Sequence, residues 1–181
     1  MKQKKYIALA GAIALIVIVL IILLYASGWI KTDRTVTIDP NAYYKVSNVI
    51  DGDTFQADIN GKIITVRLLG INTPETVDPR KSVECYGPEA SEQGKKLLTD
   101  ALVKLEFNPN REKLDKYGRY LLYAYRKDGL FYNEFMIQNG YAYEYTFNKE
   151  PYSMQNRFRK AEAAAKASDA GLWKACPQQN G

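Results

Sequence analysis

Hydrophobic and polar positions divide the chain into a long apolar run, a short polar stretch, and a region of alternating and helical patterns. From Tyr6 to Ile30 there are 25 residues without a charge, preceded by Lys2, Lys4 and Lys5. At about 1.5 Å per residue, a helix of that length spans the ~30 Å hydrocarbon core of a bilayer. A cleaved secretory signal is the alternative, with Ala26-Ser27-Gly28 as a small-residue cleavage site. The apolar core of such signals runs about 7–15 residues, and this one extends from Ile7 to Tyr25. The length favours a single-pass anchor over residues 6–30, with the lysines of residues 1–5 kept cytoplasmic. Either way the remainder is expected outside the cell membrane, tethered there or secreted if the segment is cut.

Residues 31–42 are polar and mixed in charge, and read as a tether. Strand patterning begins at Tyr43 and runs to Ile50, where Asp51-Gly52-Asp53 marks a turn. Thr54 to Ile59 and Lys62 to Leu69 flank Asn60-Gly61, a strong two-residue hairpin signal. A strict turn there places Thr54 opposite Arg67, with Asp53 one step away and within roughly 5–8 Å of the arginine. Ile64, Val66 and Leu68 then share one face, Thr65 and Arg67 the other.

Pro88 opens a first helix with Ala90, Leu97, Ala101 and Leu105 along one side, widened by Leu98 and Leu102. Strands follow around Lys104–Phe107 and Tyr120–Arg126. A second helix, about Phe131 to Asn139, buries Phe131, Phe135 and Ile137 and stops at Gly140. A third, about Tyr152 to Ala167, spaces Met154, Phe158, Ala161 and Ala165 helically, with Leu172 and Trp173 packing back behind it. Five short strands and three helices fit a mainly β (α+β) domain over residues 43–174, a closed antiparallel barrel of the OB type. Residues 175–181 form a tail.

Charge changes this picture little. The net +5 includes the three N-terminal lysines, and the remainder carries 22 basic against 20 acidic residues. Any polyanion must therefore be bound by a local patch rather than by bulk charge. The two cysteines, Cys85 and Cys176, lie 91 residues apart, and an oxidising exterior permits a disulfide between them. In the chain-entropy model such a loop contributes up to about 4–5 kcal/mol. Two unpaired thiols are the alternative.

The candidate chemistry lies in three runs: Ile50-Asp51-Gly52-Asp53-Thr54, Arg67 through Asn72-Thr73-Pro74-Glu75, and Asp115-Lys116-Tyr117-Gly118-Arg119. They supply carboxylates, an amide oxygen and two guanidinium groups in a chain with no histidine. Oxygen donors in a loop suit a hard cation such as Ca²⁺. Paired arginines suit bidentate capture of phosphate and cannot deprotonate, so they are clamps and not bases. Glutamate is the natural proton acceptor where no imidazole exists. Each run alone reads as an ordinary turn, strand or hairpin loop; together they point to metal-assisted cleavage of a phosphodiester. The period-two aromatics Tyr141, Tyr143, Tyr145 and Phe147 fit either barrel-side packing or base stacking, the latter through Tyr143 or Tyr145.

From Tyr43 to Trp173 the chain resembles the thermonuclease family, the staphylococcal-nuclease-like calcium-dependent nucleases. The three runs carry the resemblance at fitting distances, with Val83-Glu84-Cys85-Tyr86-Gly87-Pro88-Glu89-Ala90-Ser91 resembling the start of that family's first helix. The resemblance implies that Asp53, the Asn72 side chain and the Thr73 carbonyl ligate Ca²⁺. It implies that Glu75 orients or deprotonates the attacking water, that Arg67 and Arg119 grip the phosphate, and that Lys116 and Tyr117 line the nucleotide pocket. It further implies a hydrolase acting on DNA and RNA, on single or frayed strands, leaving 5′-hydroxyl and 3′-phosphate ends; nothing in the sequence demands more than a monomer. The family pattern has Asp where this chain has Asn72, which removes one negative charge and implies weaker calcium affinity. A binding module that holds nucleic acid without cutting it is the competing expectation.

Overall fold

The Asn60-Gly61 turn sets the register of the first hairpin. In the computed structural model β2 (Thr54–Ile59) pairs antiparallel with β3 (Lys62–Leu68), and Thr54 stands opposite Arg67. The model describes residues 11, 13–23, 36–76, 78–79, 82–109 and 111–176. These fall into two units, Met1–Thr37 and Ile38–Gly181. In the first, residues 13–23 are helical, and every large apolar side chain from Ile13 to Leu23 is exposed. Among the described residues no helix is long and apolar enough to cross a membrane. Most of the expected span over residues 6–30 lies outside them, as do residues 31–35 of the tether and 177–181 of the tail.

The second unit is a mixed α and β fold built on a closed barrel. Its strands are β1 (Tyr44–Asp51), β2, β3, β6 (Tyr120–Arg126) and β5 (Leu102–Phe107), neighbours in that order, with β5 returning to β1. The barrel is not wholly antiparallel, because β3 and β6 run parallel, with Val66 beside Tyr120 and Arg67 beside Leu121. The intervening chain, which includes a helix and β5, makes that crossover possible. Alternation fills the interior: Phe55, Ala57, Val66, Leu68, Val103, Leu105, Leu122 and Ala124 are all buried. The β1–β2 register shifts between Val46 and Asn48 and again between Val49 and Asp51, bending the strand end that carries Asp51.

Helix α1 (Gly87–Leu98) starts with Pro88 in its first turn and packs on β1. It is shorter than the apolar stripe predicts. Asp100 takes φ 56, the chain turns, and Leu102 opens β5, so Ala101 and Leu105 are not helical. Leu98, and not Leu97, is the fully buried side chain. Pairing of β5 with β1 through Leu102 and Val103, and with β6 along its length, outweighs one further helical turn. Helix α2 (Tyr132–Gln138) buries Tyr132, Asn133, Met136 and Ile137, leaving Phe135 half-buried. Helix α3 (Gln155–Ala167) packs on α2 through Phe158 and Ala165.

The expected plan lacks a small second sheet, and it has Leu172 and Trp173 packing back without a helix of their own. A two-stranded sheet joins β4 (Ile71–Asn72) to β7 (Tyr143–Glu144), pairing Asn72 with Tyr143. A short α4 (Leu172–Ala175) docks by its buried Leu172, whose N–H donates to the Gly140 carbonyl at 2.9 Å. Strands of two residues leave no readable period. Gly70 makes the sharp β3–β4 turn possible: its φ is +80°, and a Cβ there would lie 2.7–2.8 Å from the rings of Tyr152 and Phe158.

Candidate active site

The turn after β1 and the turn after β3 meet at one end of the barrel, and their side chains interlock. Asp53 is buried, and its charge is met from three sides. Its Oδ2 accepts from the Thr73 N–H at 3.0 Å and pairs with Arg67 Nη2 at 3.1 Å. Its Oδ1 accepts from the Thr54 hydroxyl at 2.8 Å. Partners of this kind are what allow a carboxylate to leave water.

Arg67 is fixed as firmly. Its Nη1 donates to the Leu68 carbonyl at 2.7 Å and the Ile71 carbonyl at 2.8 Å, spanning the β3–β4 turn. Its Nη2 donates to Asn72 Oδ1 at 3.0 Å. One guanidinium nitrogen thus touches both the Asp53 carboxylate and the Asn72 amide oxygen, so these two oxygens converge on a single positive centre. Thr73 is buried beside them, and among the described residues its hydroxyl oxygen has no hydrogen-bond partner.

Glu75 joins the group through Asp51. Its Oε1 accepts from the Thr76 and Asp78 N–H groups, both at 3.0 Å, which orients the carboxylate on its own loop. The Thr76 hydroxyl in turn donates to Asp51 Oδ1 at 3.1 Å. Burial raises the Asp51 carboxyl above its ordinary range, opposed by the Gly52 N–H and the Thr76 hydroxyl; the charges of Asp53 and Glu75 push it further up. Asp51, Asp53 and Glu75 are therefore electrostatic neighbours.

Lys116, Tyr117 and Arg119 form a second group in the loop before β6. Asp115 organises it: Oδ1 accepts from the Tyr117 and Arg119 N–H groups at 2.9 Å, and Oδ2 from Arg119 Nε at 2.7 Å. The Tyr117 ring is 72% exposed, with the Arg119 guanidinium 5.4 Å and the Lys116 ammonium 4.9 Å from its centroid. Leu121 lies beside Arg67 in the β3–β6 ladder, and Arg119 stands two residues earlier, just before β6 begins. Of the aromatic run, Tyr141 stacks between Tyr86 and Phe135 and Tyr143 meets Trp173 edge-on, leaving Tyr145 and Phe147 exposed with centroids 6.4 Å apart.

A family model described as staphylococcal nuclease homologue matches residues 65–175, more than half of the chain. The chain belongs to the staphylococcal nuclease family. It is 38% identical over 130 residues to the thermonuclease of Staphylococcus hyicus, covering 72% of this chain and 75% of that protein. The thermonuclease of Staphylococcus intermedius is 42% identical over 127 residues, 70% of this chain and 74% of that one. Endonuclease YncB of Bacillus subtilis (strain 168) is 37% identical over 129 residues, 71% and 60% of the two chains.

In this staphylococcal nuclease homologue the structure adds residues that the motifs alone do not single out. Asp51 reads in sequence as half of a turn, yet its side chain is buried and feels the charges of Asp53 and Glu75. Thr76 links it to the Glu75 loop. The fully buried Tyr132 hydroxyl donates to the Gly52 carbonyl at 2.8 Å, bracing the turn from below. Burial, then the charges of Asp53 and Asp51, hold that phenol well above its ordinary value, so it remains a donor. No periodicity marks Tyr132 as a site neighbour, because the contact crosses 80 residues.

Among the described residues no three His, Cys, Asp or Glu side chains are grouped to hold a metal ion. The candidate donors for a cation are instead the Asp53 carboxylate and the Asn72 amide oxygen, with the Thr73 carbonyl that the family resemblance adds. The convergence of Asp53 Oδ2 and Asn72 Oδ1, with the unpartnered Thr73 hydroxyl beside them, suits a hard, oxygen-seeking cation of low charge demand. Cys85 and Cys176 are joined in a disulfide with Cα atoms 5.9 Å apart.

Proposed function

We propose that this chain is a Ca²⁺-dependent nuclease, anchored in the cell membrane by residues 6–30, that works outside the cell on DNA and RNA. Family membership, with thermonucleases and endonucleases as relatives, makes it a phosphodiester-hydrolysing nuclease. The observation that carries the calcium reading is the meeting of Asp53 Oδ2 and Asn72 Oδ1 at one Arg67 nitrogen, 3.1 and 3.0 Å away. The charge-free run over residues 6–30, its three preceding lysines and the outward apolar side chains of residues 13–23 support the anchor. The disulfide supports an oxidising location.

Asp53, the Asn72 amide oxygen and the Thr73 carbonyl would hold Ca²⁺, which when bound offsets charge on the phosphate and acidifies water. Arg67 and Arg119 bind non-bridging phosphate oxygens and stabilise the charge that grows there during attack. Glu75, oriented by the Thr76 and Asp78 N–H groups, accepts the proton of the attacking water. Asp115 holds Arg119, and the carbonyls of Leu68 and Ile71 hold Arg67, so both clamps are set before substrate arrives. The exposed rings of Tyr117, Tyr145 and Phe147 offer stacking surfaces that any base satisfies, which fits low sequence specificity.

One feature favours a second reading. Asn72 withdraws a charge from the donor set, as a site that binds nucleic acid without cutting it would tolerate. Release of acid-soluble nucleotides from DNA with Ca²⁺ and with chelator separates the two. The nuclease releases them only with Ca²⁺. A binding module retains single strands in chelator and releases nothing in either condition.

A further inference from the structure

The Glu75 carboxylate belongs to the segment between the end of β4 and the start of α1, whose described residues form no strand or helix. Glu84 holds it at two points. The Glu84 N–H donates to the Glu75 carbonyl at 2.9 Å, and the Glu75 N–H donates to Glu84 Oε2 at 3.0 Å. The start of α1 lies flat against the same segment: a Cβ on Gly87 would sit 2.6 Å from Thr76 Cγ2 and 3.1 Å from the Glu75 carbonyl oxygen. Between Glu84 and Gly87, Tyr86 takes φ 66, a conformation that a bulky residue adopts only under constraint, with its ring stacked on Tyr141 at 5.8 Å.

The residue next to that strained tyrosine is Cys85, bonded to Cys176. Cys176 ends α4, which is docked through Leu172, and the neighbouring Trp173 ring meets Tyr143 edge-on at 5.2 Å. Tyr143 is the partner of Asn72 across the β4–β7 sheet. The covalent link therefore ties the Glu84 clamp on Glu75 to the element that carries Asn72.

We propose that the Cys85–Cys176 disulfide is a positioning element of the site, holding the Glu75 carboxylate in register with the Asp53 and Asn72 oxygens. The inference rests on the nuclease reading and concerns its proton acceptor. A shift of about 1 Å at such a group costs about a hundredfold in rate. Arg119 is held by Asp115, and Arg67 by carbonyls on both sides of the β3–β4 turn and by Asp53, contacts that include neither Glu84 nor α4, so substrate affinity depends on the link less than turnover does. A disulfide that serves only to restrict the unfolded chain lowers stability and leaves turnover alone.

The test uses the full chain in detergent, the C85S/C176S variant, Glu84→Ala with the disulfide intact, and the three substitutions combined. Turnover and KM are measured on single-stranded DNA with Ca²⁺, well below each melting temperature, alongside hydrogen exchange at the Thr76 and Asp78 amides. C85S/C176S is expected to lose about ten- to a hundredfold in kcat with KM changed by less than about twofold, and to exchange those amides faster. Glu84→Ala shifts both readouts the same way, and the combined protein is no worse than the more impaired of the two. A lowered melting temperature with unchanged kcat and unchanged exchange in C85S/C176S overturns the proposal. If C85S/C176S fails to fold, an unchanged kcat in Glu84→Ala overturns it instead. A parent chain that cleaves no DNA refutes the nuclease reading, and exchange at the two amides still decides whether the link positions the loop.

Discussion

Asn72 is the residue on which the affinity of the site turns. Its amide oxygen is placed as a carboxylate oxygen would be, on Arg67 Nη2 and beside Asp53, but it brings no charge. Calcium affinity in oxygen sites follows ligand charge. Asn72→Asp should therefore lower the Ca²⁺ dissociation constant by roughly tenfold, measured calorimetrically without substrate. An unchanged constant would mean that Asn72 is not among the donors. Single residues also show where sequence reading reaches its limit. Asp53, Arg67, Asn72 and Thr73 are legible because they cluster in short runs whose spacing survives folding. Asp51, Thr76, Glu84 and Tyr132 are not, because their roles depend on contacts from distant segments that no local pattern encodes.

Among the elements, the first hairpin was readable to the residue because a two-residue Asn-Gly turn leaves only one register, which sets Thr54 across from Arg67. The first helix ends before its apolar spacing predicts, because strand pairing overrides the helical spacing of Ala101 and Leu105. The β4–β7 pair could not be read at all, its strands being two residues each. The β5–β6 wall carries a test of its own. Tyr125 stacks on Phe131 at 4.3 Å, and burial followed by the Glu106 charge pushes its phenol from 10.0 up to about 12. The unfolded chain then ionises first, so stability present below pH 10 is lost as pH rises towards 12. Tyr125→Phe should lose less stability than the parent across that interval, read from urea midpoints; equal losses would show that Tyr125 does not set the alkaline limb.

At the scale of the whole molecule, the barrel family was legible from strand count and turn spacing, while the parallel β3–β6 pairing was hidden in a long crossover. The N-terminal unit is a matter of composition: an apolar run flanked by lysines says what solvent it prefers without any tertiary contact. The full chain is expected to sediment with membranes, and a chain lacking residues 1–30 to remain soluble. Protease added outside intact cells should remove the nuclease domain, whereas full protection of that domain would reverse the proposed orientation.

The proposed hydrolysis depends on Glu75 acting as the base beside two fixed arginines and a set of oxygens that would bind calcium. The most direct test is kcat for Glu75→Gln on single-stranded DNA at saturating Ca²⁺, with strand affinity and melting temperature measured in parallel. Turnover should fall by about 10²–10⁴ while binding and folding stay close to the parent. Near-parental turnover in the glutamine variant would contradict the account, because the proton would then have another acceptor.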